Sequence, residues 1–143
     1  MICPLTNKKL LTKESMFMNK AFLLAAAATL TFSAAANAAG DPVKGEAVFK
    51  KCKACHQVGP DAKNGVGPAQ NGVVGRKAGS VADFKYSTAL TEAGAKGLIW
   101  DEANLDKYLA DPRGFMPGNK MAFVGLKKEE DRADVIAYLA TLK

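Results

Sequence analysis

Cys52-Lys53-Ala54-Cys55-His56 is the stretch on which the reading of this sequence turns. Two thiols stand three residues apart and an imidazole follows at once. His56 is the only histidine among the 143 residues, and the third cysteine, Cys3, lies near the amino terminus. The spacing is that of C-x-x-C-H, the attachment sequence of covalent haem. Its logic is mechanical: two thiols add across the vinyl groups on one edge of a porphyrin, and the neighbouring histidine turns under the ring to offer a nitrogen to iron. The rival uses fit less well. A structural zinc site needs about four ligands, and beyond Cys3 only Cys52, Cys55 and His56 are available as thiolate or imidazole. A thioredoxin-like pair sits beside a βαβ pattern, which this sequence lacks. A disulfide closing so short a loop would constrain little chain.

Working outward, Met18 to Ala38 reads as a secretory signal. Asn19 and Lys20 precede an apolar, Ala-rich run from Ala21 to Ala36, and Ala36-Asn37-Ala38 fits the small-residue cleavage pattern. The run is short for a bilayer span and is diluted by Thr29, Thr31 and Ser33. Residues 1–38 are therefore expected to be a leader and cleaved signal peptide, and residues 39–143 a single exported domain. A membrane tether would follow only if cleavage failed. Removing the leader lowers the formal charge. Residues 39–143 hold sixteen Lys and Arg against thirteen Asp and Glu, leaving +3 where the whole chain has +6. So small and mixed a charge argues against nucleic acid as a partner.

Three helices are expected. Asp41-Pro42 reads as a cap followed by a first-turn proline, opening a helix from Pro42 to about Lys53 with Val48 and Phe49 as its apolar residues. Asp101 to Ala110 carries Leu105, Tyr108 and Leu109 on one face, and Pro112 is expected to end it. Glu129 to Leu142 carries Val135, Tyr138, Leu139 and Leu142 at helical spacing. No alternating strand pattern appears. From Gln57 to Gly97 the chain is punctuated by glycine and short of apolar periodicity. Loops of that length are uncommon in a compact domain unless something else organises them, and a large prosthetic group would supply the missing core.

The second iron ligand is open at this level. With one histidine, bis-histidine ligation within the chain is excluded. Methionine is the usual partner in electron carriers. After the leader only Met116 and Met121 remain, both on the Pro/Gly loop between the last two expected helices, and local spacing does not separate them.

Beyond these readings the sequence resembles the class I cytochrome c family over essentially all of residues 40–143, nearest its bacterial cytochrome c2 branch. The resemblance runs through KCKACH (51–56), GVGP (65–68), NGVVGRKAG (71–79), FKYS (84–87), GLIW (97–100), LDKYLADP (105–112), PGNKMAF (117–123) and RADVIAYL (132–139). It implies an all-α fold in which the N- and C-terminal helices pack crosswise, while a middle helix and the Gly-rich loops wrap one covalent haem c. It implies Met121, which closes the P-G-x-K-M segment, as the axial partner of His56, with Met116 as packing. Pro68 is implied to accept a hydrogen bond from His56, and Arg76, Tyr86, Trp100 and Asn119 to satisfy the haem propionates. Tyr108 would lie near the Met121 sulfur, and Phe123 would close the pocket. Two positions depart from the family pattern: Gln70, where leucine is common, and Leu90, where a buried asparagine is common.

The function implied is that of a soluble periplasmic one-electron carrier, not an enzyme. It would shuttle from a quinol-oxidising cytochrome complex to a terminal oxidase or photosynthetic reaction centre. It is expected to be a monomer that meets acidic redox partners through Lys51, Lys53, Lys63, Arg113, Lys120, Lys127 and Lys128, with no nucleic-acid partner.

Overall fold

The structure is a computed structural model that describes residues 40–143; the expected leader, residues 1–38, lies outside the described residues. Five helices occur there: α1 (Pro42–Phe49), α2 (Thr88–Ala95), α3 (Glu102–Ala110), α4 (Pro112–Phe115) and α5 (Glu129–Ala140). The nearest approach to a sheet is an isolated antiparallel bridge between Lys77 and Ile99.

The frame is the packing of α1 against α5. Asp41 caps α1: its carboxylate accepts the N–H groups of Val43 at 2.8 Å and Lys44 at 3.3 Å, satisfying donors that the first turn leaves free. The backbone N–H of Asp41 in turn donates to the buried carboxylate of Asp134 on α5, at 2.7 Å. Gly45 lets the two backbones meet, because a Cβ there would strike the Asp134 carbonyl and lie 2.8 Å from Cβ of Tyr138. One turn on, Phe49 is 1% exposed and packs its ring against Tyr138 at a centroid separation of 5.6 Å. Three acidic residues open α5, favourably placed against its helix dipole. Arg132 ties α5 to α3 through Asp106 at 2.6 Å.

Three expectations need correction. α1 stops at Phe49 rather than near Lys53, and the chain tightens into successive i→i+3 bonds, Lys50 to Ala47, Lys51 to Val48 and Cys52 to Phe49. α2 falls inside the Gly-rich stretch where no helix is expected. It is two turns of mostly small residues, started by the Ser87 hydroxyl, which accepts the Leu90 N–H at 3.2 Å; its apolar signal is too thin to register as periodicity. Pro112 follows the end of α3 as expected but also opens α4, a single turn in which the Asp111 carboxylate accepts the Gly114 N–H at 3.1 Å. A missing N–H suits the first position of a helix as well as it ends the previous one.

Phe49→Ala is expected to lower the unfolding free energy of the holoprotein by about 3–5 kcal/mol, read from urea unfolding followed by far-UV circular dichroism. A loss under about 1 kcal/mol would show that the α1–α5 contact does not carry the fold.

Candidate haem site

The turn after α1 builds one wall of a cavity. The His56 N–H donates to the Cys52 carbonyl at 2.9 Å and the Cys55 N–H to the same oxygen at 3.0 Å. Residues 52 to 56 thus make a single helical turn, and Cys52, Cys55 and His56 stand at i, i+3 and i+4, on one face. All three line a cavity of about 460 Å³, within the usual range of ~300–1,000 Å³ for small-molecule and cofactor sites. Both thiols are free; Cys55 is exposed and Cys52 half-buried. Burial pushes the Cys52 thiol above its ordinary pKa, against the opposing pull of the Lys51 charge.

His56 is held from behind. Its Nδ1 lies 2.8 Å from the Pro68 carbonyl oxygen, which leaves Nε2 as the nitrogen open to a ligand role. Gly67 makes room for the ring: a Cβ there would collide with Cε1 and lie 2.5 Å from Nδ1. The side-chain amide of Gln70 also reaches Nδ1, at 2.8 Å.

Met121 lines the same cavity, whereas Met116 is buried in the core and does not. The Tyr108 hydroxyl points at the Met121 sulfur at 3.9 Å, and burial pushes its phenol up to about 12. Tyr108 is itself fixed between Trp100, at a ring separation of 4.8 Å, and Phe115, at 5.9 Å. Phe123 is half-buried at the cavity wall.

Of the four residues expected to meet propionates, three line the cavity: Arg76, Tyr86 and Trp100. Arg76 is half-buried and donates only to the carbonyls of Asn71, at 2.8 Å, and Ala69, at 3.3 Å. Among the described residues it has no carboxylate partner, and desolvation lowers its pKa. Tyr86 accepts the Val81 N–H at 3.3 Å, and its phenol is raised by burial. Asn119 departs from the expectation. It does not line the cavity, and its amide clamps the loop before Met121, donating to Pro112 and Met116 at 2.8 Å each and accepting the Met121 N–H at 2.9 Å.

These residues fit a covalent haem. The thiol pair and imidazole stand together, the walls are apolar (Val73, Leu105, Val135 and Leu139 among them), and a desolvated guanidinium without an anion borders the space. Sequence reasoning did not single out Val66, Phe84, Lys85 or Ala122 as cavity residues. Val66 is 80% exposed, so no apolar periodicity marks it; only its place inside the GVGP segment gave a hint. Of the expected docking residues, Lys51 and Lys120 border the cavity, joined by Lys85, while Lys53, Lys63, Arg113, Lys127 and Lys128 are exposed and do not line it. Lys51 is paired with Asp131 at 2.9 Å, and the Lys127 ammonium donates to the Ala110 carbonyl at 3.2 Å.

An all-α frame around such a cavity, with a thiol pair and one histidine on a single turn, defines a c-type haem protein. The family model of cytochrome c matches residues 42–143. Cytochrome c2 of Rhodomicrobium vannielii is 66% identical over 114 residues, covering 80% of this chain and 89% of that protein. Cytochrome c-550 of Ancylobacter novellus is 55% identical over 100 residues, covering 70% of this chain and 94% of its own. The solved structure of cytochrome c2 from Rhodospirillum centenum superposes with a TM-score of 0.69 at 48% identity, covering 72% of this chain and 98% of that one. The chain belongs to the cytochrome c family, on its cytochrome c2 branch. It is an electron carrier rather than an enzyme, and its cofactor is one covalently bound haem c.

Gly67→Ala should lower holoprotein stability by about 1–3 kcal/mol, because the added methyl must displace the His56 ring. Thermal unfolding followed at the haem absorption band would read the change; an unshifted midpoint would mean that the ring moves aside freely.

Proposed function

We propose that His56 through Nε2 and Met121 through Sδ would hold the haem iron and that Cys52 and Cys55 would carry the thioether links. On this reading the mature chain, residues 39–143, is a soluble monomeric shuttle in the periplasm, freed by cleavage of the leader. The observation that carries it is one cavity lined by the Cys52–His56 turn and by Met121, with Met116 elsewhere. Bound haem supplies a one-electron change at iron. The chain's own residues do the rest. Pro68 orients the imidazole and raises its donor strength through the Nδ1 hydrogen bond. Tyr108 directs a hydroxyl at the sulfur, and Asn119 holds the backbone that presents it. Arg76, Tyr86 and Trp100 are the groups that would meet the propionates. With His56 and Met121 both committed to iron, no vacant site would remain for substrate chemistry, which suits electron transfer.

Partners of acidic surface would dock over the cavity mouth, guided by Lys51, Lys53, Lys63, Arg113, Lys120, Lys127 and Lys128. The donor would be a quinol-oxidising cytochrome complex and the acceptor a terminal oxidase or photosynthetic reaction centre.

The ferric protein is expected to show the weak far-red absorption of an iron–methionine bond, and Met121→Ala to abolish it while Met116→Leu keeps it. A wild-type protein without that band, whose ferrous form binds carbon monoxide readily, would rule out this ligation. For docking, Asp131→Asn should free the Lys51 charge and speed electron transfer to an acidic partner at low salt by severalfold. The gain should vanish once the Debye length falls to about 3 Å, near 1 M salt. Stopped-flow rates across a salt series would test this, and rates insensitive to salt would remove the electrostatic reading.

A further inference from the structure

The rear nitrogen of His56 has two neighbours. Nδ1 lies 2.8 Å from the Pro68 carbonyl oxygen and 2.8 Å from the terminal amide nitrogen of Gln70, which itself donates to that same carbonyl oxygen at 3.1 Å. The three groups close a triangle at the cavity wall. The Gln70 side-chain amide has no other hydrogen-bond partner among the described residues, and its backbone is fixed by donation to the Gln57 carbonyl at 3.0 Å. On the ligation proposed above, Nε2 is given to iron, so Nδ1 holds the only proton of the neutral ring. An amide nitrogen cannot sit 2.8 Å from that N–H, because both groups would be donors. A half turn of the amide, which leaves its shape unchanged, puts Oε1 in the same place as an acceptor and gives up the amide nitrogen's donation to the Pro68 carbonyl. Two oxygens then share one N–H in a three-centre bond.

We propose that Gln70 is a positioning residue of the electron-transfer site, whose amide oxygen is a second acceptor for the His56 Nδ1 proton. Each acceptor draws that proton outward and leaves more electron density on the ring. The imidazole becomes a stronger donor, the oxidised iron is favoured, and the reduction potential falls below the value that Pro68 alone would set. The feature belongs to this chain's own residue at a position where a leucine would give no such bond. The inference rests on His56 being an iron ligand.

The test compares wild-type holoprotein with Gln70→Leu and Gln70→Glu. It uses nitrogen-15 NMR of the histidine ring in the diamagnetic ferrous state, together with potentials from redox titration. The Nδ1 proton should move upfield and exchange faster in Gln70→Leu, and move downfield and exchange more slowly in Gln70→Glu. The potential should fall in the order Leu, Gln, Glu. A change of local polarity alone would also move the potential, so the proton signal decides. If shift and exchange are the same in all three proteins, the proposal is overturned whatever the potential does. An upfield move in Gln70→Glu overturns it too. Should Gln70→Leu fail to mature, the isosteric Gln70→Glu carries the same decision. If the His56 ring protons lack the large haem ring-current shift even in the wild type, His56 is not a ligand and both readings fall; a shifted ring with an unresponsive proton removes only the role of Gln70.

Discussion

The contact at Gly45 is the point from which the rest of the molecule is hung. Two helices from opposite ends of the domain approach until the backbone of α1 lies against the Asp134 carbonyl. Asp134 also takes the Asp41 N–H, so the amino-terminal end of α1 is pinned by a part-buried hydrogen bond to a buried carboxylate. At the other end the Phe49 ring packs, tilted, against Tyr138. Because α1 is pinned at both ends, the turn that follows it has a defined start, and Cys52, Cys55 and His56 leave that turn on one side.

The cavity and the core share their residues. Phe49, Val73, Trp100, Leu105, Tyr108, Val135 and Leu139 are buried core side chains, and all seven also line the cavity. A chain of this size buries a modest fraction of its surface by itself. Haem would therefore act as the centre of the core as well as the redox group, and the long Gly-rich segment could go without apolar periodicity by packing on it. The same arrangement explains why polar groups such as Arg76 and Tyr86 are half-buried there. On the proposed reading they border the region that would receive the haem carboxylates, where a desolvated cation without a partner would otherwise be unfavourable.

Charge at the surface is set by pairing as much as by count. The residues expected to guide docking are all basic, yet Lys51 is tied to Asp131 and Lys127 to a carbonyl. Lys85 and Lys120 at the mouth carry no ion pair among the described residues. Exposed pairs such as Lys51–Asp131 add little stability, but they alter the field that an approaching partner meets.

The sequence alone determined whatever depends on neighbours a few residues apart. C-x-x-C-H set a thiol pair and an imidazole on one turn and pointed to a haem. The caps and apolar spacings located α1, α3 and α5, and the census of side chains reduced the second ligand to Met116 or Met121. Resemblance to relatives, rather than local chemistry, favoured Met121. What tertiary structure decided is every contact between segments far apart in the chain. It halted α1 at Phe49 so that the attachment turn could form, and it stabilised α2, whose few apolar residues gain meaning only against the cavity wall. It turned Asn119 from an expected cavity residue into a clamp on the Met121 loop, neutralised Lys51 with Asp131, and set the Gln70 amide against the His56 ring. The division has one physical cause. Helix caps and turns are fixed by bonds within one or two turns of chain, and those are written in residue order; a cavity is fixed by where distant backbones stop approaching one another, and that is known only once the whole chain has packed.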